Sequence, residues 1–121
     1  MFIFFLSLQP DFKLFDLNIN LIVYMDTFNL VNNEFLRQFE IKHNNMLARI
    51  EYSEQERKIF LTKLAIPNEI NSPEFEEIFI KKALEFIAEK NLKVVPTSPK
   101  IAGFVRRNRS YKSLLPVGIK L

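Results

Sequence analysis

From position 37 onward, hydrophobic and polar residues alternate in patterns that mark out individual elements. Arg37–His43 (RQFEIKH) sets Phe39 and Ile41 on one side and Gln38, Glu40 and Lys42 on the other, the period of a half-buried strand. Asn44 and Asn45 follow. Asparagine tolerates positive φ, so the pair predicts a tight hairpin turn. Met46–Tyr52 alternates again, with Ala48, Ile50 and Tyr52 against Arg49 and Glu51, and Ser53–Arg57 reads as a polar turn. Lys58–Ile66 (KIFLTKLAI) is more continuously apolar, as befits a strand covered on both faces, and Pro67 closes it. The three segments predict an antiparallel meander. Val31–Glu34 before them reads as a turn, which leaves the Arg37–His43 strand as an open edge suited to strand addition.

The period changes at Ser72. Ser72 is a fair N-cap, Pro73 suits the first helical position, and Glu74, Glu76 and Glu77 suit the positive end of a helix dipole. Phe75, Ile78, Phe79, Ala83, Phe86 and Ile87 form one apolar stripe, which predicts a helix over Pro73–Lys90 with Asn91 as its C-cap. Leu92–Pro96 (LKVVP) reads as a short buried strand. A helix between two strands of one sheet makes a right-handed βαβ crossover. Thr97-Ser98-Pro99 opens a second helix over Lys100–Arg107, with Ser98 as N-cap, and residues 110–121 form a short apolar segment. The predicted class is α+β: an antiparallel β-meander, a βαβ crossover and a second helix, within one domain at residues 25–121.

Residues 1–24 lack this orderly patterning. They are mostly apolar, but no Lys or Arg precedes the first apolar run, as a secretory signal requires, and Asp11, Lys13 and Asp16 interrupt a membrane span. The segment reads as an apolar leader outside the domain, with Met25 as an alternative start. A membrane contact is expected only through this leader, and the cytoplasm is the expected location.

Composition narrows the chemistry. The 121 residues include no cysteine, one histidine (His43) and two glycines (Gly103 and Gly118). These counts exclude disulfides, thiolate nucleophiles and cysteine zinc sites, and disfavour a Ser-His-Asp triad. They also exclude glycine-rich phosphate loops. No metal site is expected. His43 reads as a surface turn residue. Net charge is +3. Lys100, Arg106, Arg107, Arg109, Lys112 and Lys120 make the last stretch wholly basic, with Phe104 and Tyr111 interleaved. The first reading of this stretch is a solvated helix face, ahead of a small-anion contact and of a nucleic-acid surface.

The words Ile59-Phe60-Leu61-Thr62, Ile66-Pro67, Lys81–Leu84 (KKAL), Leu92–Pro96, Ser98-Pro99, Ile101-Ala102 and Phe104–Arg107 (FVRR) with Tyr111 resemble the small, single-domain branch of the GCN5-related N-acetyltransferase (GNAT) superfamily. The resemblance spans about residues 35–114. It implies the acyl-CoA N-acyltransferase fold, with acetyl-CoA in the splay between two central strands and its pyrophosphate on backbone amides where a helix begins near Ser72. Carried over position by position, it points to Ile66, Asn71, Ser72, Phe75, Arg106 and Arg107 for the cofactor, and puts Ser98 at the family's cysteine.

The same comparison exposes departures. The loop expected to read R-G-x-G-I-G reads Asn71-Ser72-Pro73-Glu74-Phe75-Glu76, without arginine or glycine and with Pro73 in place of an amide donor. Each carboxylate beside a phosphate costs about 1 kcal/mol at ~4 Å in water and more where water is excluded. A serine hydroxyl needs a base to act as nucleophile, and the expected His-Thr pair is Lys63-Leu64. The leading expectation is a non-catalytic or altered member of the family, a pseudoenzyme acting on an unknown protein or small-molecule partner as monomer or homodimer. The alternatives are an active acetyl-CoA-dependent N-acetyltransferase on an unknown amine, and a small basic nucleic-acid-binding domain.

Overall fold

A computed structural model describes residues 27–121; the leader 1–24 and Met25 lie outside the described residues. The elements are β1 (Leu30–Asn33), β2 (Gln38–His43), β3 (Met46–Gln55), β4 (Lys58–Ala65), α1 (Pro73–Glu89), β5 (Lys93–Pro96), α2 (Pro99–Arg107) and a 3-10 helix (Arg109–Leu114). The strands form one sheet in sequence order. β1 to β4 are antiparallel and β5 joins β4 in parallel, across the α1 crossover.

The meander matches its pattern in the middle and departs from it at both ends. Asn44 and Asn45 both take positive φ (50° and 61°) and join His43 to Met46 in a two-residue hairpin. β3 runs on to Gln55, because Glu56 and Arg57 alone make the next turn in the left-handed region (φ 52° and 63°). The larger correction is β1. Residues 31–33, read as a turn, pair with Gln38–Glu40. Asparagine is a poor strand former, but here each one has a partner. Asn32 accepts the Tyr52 hydroxyl at 2.7 Å, and Asn33 donates to Glu40 at 2.9 Å. β2 is therefore an inner strand, and among the described residues β1 is the edge.

α1 lies across the sheet and buries Phe75, Ile78, Phe79, Ala83 and Ile87 as the stripe predicts, together with Ile80 and Leu84. The buried face is wider than the stripe because α1 also packs against α2. Phe86 stays half-buried, edge-on to Phe39 at 5.5 Å. The helix stops one residue early, with Lys90 as C-cap and Asn91 in the left-handed conformation (φ 57°) beyond it. α2 buries Ile101, Phe104 and Val105 in the same core, and Tyr111, Leu114 and Leu115 pack onto its margin. Among the described residues, no helix is long and apolar enough to cross a membrane.

Candidate functional site

β4 and β5 part company at Leu61. Lys58–Leu61 pair with Lys93–Pro96, but among the described residues Lys63–Ala65 pair with β3 alone. The Leu61 carbonyl is the pivot. It accepts the amides of Thr97 (3.1 Å) and Ser98 (3.0 Å) and the Thr97 hydroxyl (2.9 Å) as the chain leaves β5 for α2. One step along, the register with β3 slips. Consecutive residues Glu51 and Tyr52 face Lys63 and Leu61, so Thr62 is the extra residue of a β-bulge. The bulge bends β4 where it loses β5.

The gap opens into a cleft of about 470 Å³ lined by Leu64, Ala65, Ile66 and Pro67 from β4 and its exit, Arg49 from β3, Asn71 and Glu76 from the start of α1, and Lys100 from α2. Lys100 donates to Glu76 at 3.3 Å, tying α2 to the first turn of α1. Lys100 was read from the sequence only as part of a basic face; no local pattern shows that helix packing brings it against Glu76.

The first turn of α1 has few free donors. Pro73 has none. The Phe75 amide donates to the Ser72 hydroxyl oxygen at 3.0 Å, and the Glu76 amide to the Ser72 carbonyl at 2.9 Å. The Ser72 hydroxyl thus takes up an amide that a helix start otherwise offers to solvent or ligand.

Of the residues singled out for a cofactor, Ile66 and Asn71 line the cleft and Ser72 caps the helix beside it. The Phe75 side chain points the other way, into the core, with its ring 5.0 Å from Phe28 and 6.1 Å from His43. His43 is therefore half-buried against two phenyl rings, not a free turn residue. Arg106 and Arg107 lie exposed at the far end of α2 and do not line the cleft. Ser98 is buried at the β5–α2 junction and precedes α2 as expected, but its side chain makes no capping bond. Among the described residues, no group of His, Cys, Asp or Glu is placed to hold a metal ion.

Two tyrosines sit in environments that favour the neutral phenol. Burial pushes Tyr52 above its ordinary value, although the bond to Asn32 pulls the other way. Burial also raises Tyr111, with help from the Glu85 carboxylate that accepts its hydroxyl at 3.2 Å. Neither lines the splay.

Residues 38–114 match the family model for GCN5-related N-acetyl-transferases. The structure is similar to the NMR solution structure of a GCN5-like candidate N-acetyltransferase from Staphylococcus aureus, with a TM-score of 0.58 and 21% identity, covering 76% of this chain and 90% of that one. No curated protein matches the sequence.

Proposed function

The chain belongs to the GCN5-related N-acetyltransferase family, and from that premise we propose that it keeps the family's splayed-strand cleft but does not hold acetyl-CoA by its diphosphate. On this reading it is a non-acetylating binding domain. The observation that carries the reading is the first turn of α1. Pro73 offers no amide, Ser72 takes those of Phe75 and Glu76, and the Glu76 carboxylate lies in the cleft, held by Lys100. A diphosphate approaching this helix start would meet a carboxylate where it needs donors. The residues present do not fit that group.

The test is thermal unfolding of the chain with and without about 1 mM acetyl-CoA. A ligand at 100 times its Kd stabilises by about 2.7 kcal/mol, which moves the midpoint by several degrees in a domain of this size. We expect no shift. A second arm replaces Ser72→Gly, Pro73→Lys, Glu74→Gly and Glu76→Gly together and is expected to gain affinity for CoA. Wild-type binding as tight as that of the quadruple variant would refute the reading.

One observation favours the other reading, an active acetyltransferase. The bulge at Thr62 and the unpaired edge of β4 beyond it are intact, so backbone groups are available to an extended ligand. An acetyl-transfer assay over a panel of amines separates the two readings.

A further inference from the structure

The end of the sheet away from the splay carries a larger cleft, of about 700 Å³. Its floor is apolar, built from Phe39, Ile59 and Phe86. Its rim bears both signs of charge: Glu34, Glu54 and Glu56 with Arg37 and Lys90. Among the described residues, none of these five makes an ion pair within the chain. Beside the cleft stands a knob. Phe35 is 93% exposed and Leu36 56%, on a loop whose flanking residues Glu34 and Arg37 line the cleft. The loop is anchored: the Leu36 amide donates to the Asn33 side chain at 3.0 Å, and the Tyr52 amide to the Arg37 carbonyl at 2.9 Å. Phe35 and Leu36 together hold adjoining apolar surface in water on an anchored loop beside the cleft, surface that a contact would bury.

We propose that this face is a two-fold interface between copies of this chain, with Phe35 of each protomer seated in the aromatic-floored cleft of the other. Two features select a second copy as the occupant. Knob and cleft lie next to each other on one surface, which is what an isologous contact requires. The rim carries both signs, Glu34, Glu54 and Glu56 with Arg37 and Lys90, so two copies facing each other can set acid against base, and in the proposed contact Arg37 meets Glu54 and Glu56 of the other copy. A partner of one predominant charge would meet one set of these groups well and the other badly. Phe35 is the anchor and the ion pairs fix the register.

Sedimentation equilibrium of the full chain tests this, from low to high micromolar concentration. The expected result is a concentration-dependent dimer whose mass falls toward the 14.3 kDa chain on dilution. Phe35→Ser raises the dissociation constant about tenfold or more; the side chain is in water in the monomer, so the circular dichroism spectrum is unchanged. Glu54→Arg with Glu56→Arg weakens the dimer at low salt, and adding Arg37→Glu to the same chain restores it. Three outcomes overturn the proposal: a chain that stays monomeric throughout, a dimer that Phe35→Ser leaves as tight, or a charge reversal that Arg37→Glu does not offset.

Discussion

The Thr62 hydroxyl donates to the Glu51 carbonyl at 3.1 Å. This bond sits at the bulge, where β3 and β4 slip register and the ladder is disrupted. It uses a side chain to satisfy an acceptor at that irregularity. Threonine also suits the position because its β-branched side chain favours extended backbone.

Thr62→Val keeps the branching and loses only the hydrogen bond. The expected cost is about 0.5–1.5 kcal/mol, read as a drop of a few degrees in the unfolding midpoint. Deleting Thr62 is a different perturbation. It removes the extra residue, lets Lys63 follow Leu61 in a regular ladder opposite Glu51, and takes out the bend where β4 leaves β5. The expected loss is well above about 2 kcal/mol, together with loss of the cleft. Equal effects of the substitution and the deletion would mean that the bulge is incidental to the fold.

Ser72 and Ser98 make a natural comparison. Each precedes a proline that opens a helix, and only Ser72 makes the capping bond. Ser72→Ala is expected to cost about 1 kcal/mol, or roughly 4–8 °C in a domain of this size. Ser98→Ala should cost distinctly less. Thermal melts of the two variants in one buffer decide the matter, and a larger drop for Ser98→Ala would contradict the assigned caps.

Those two serines also show how far the sequence carries. The start of α1 was legible because capping is local: a hydroxyl, a proline and acidic residues act within one turn. The Asn44–Asn45 hairpin was legible for the same reason. β1 was not, because Asn32 and Asn33 have the intrinsic preferences of a turn, and their partners Tyr52 and Glu40 lie on other strands, Tyr52 being 20 residues away. The turn read over Ser53–Arg57 was drawn too wide, because neither Glu56 nor Arg57 is a usual left-handed former and nothing local marks them as the whole turn. At the site, Ile66 and Asn71 were singled out for the cofactor by family position alone, and both line the cleft. The Lys100–Glu76 pair could not be read that way, since it depends on how α2 docks against α1.

Phe75 gives a test of assignment by resemblance. Its alignment position made it a cofactor candidate, but its ring is 1% exposed and packed among Phe28, His43 and Phe79. Phe75→Ala is therefore expected to behave as a core truncation, costing about 3–5 kcal/mol. That is a large share of the total stability of a small domain. Urea denaturation should show a lower midpoint with an unchanged slope. A variant of native stability would place the ring outside the core.

The two tyrosines predict how the fold responds to alkali. Both phenols are held above their ordinary value of 10.0, chiefly by burial. The folded state therefore binds the phenolic proton more tightly than the unfolded chain does. Their contribution to stability is fully present below about pH 10 and is lost as pH rises through the folded values. The unfolding midpoint should begin to fall above that pH. Tyr111→Phe removes one of the two groups along with its bond to Glu85. It should lower the midpoint slightly at neutral pH, yet make the alkaline decline shallower. Tyr52→Phe should do likewise, with a larger neutral-pH loss because Asn32 in the edge strand loses its partner. Melts of the three proteins from neutral to strongly alkaline pH distinguish the effects. Parallel declines would mean that neither phenol drives the alkaline transition.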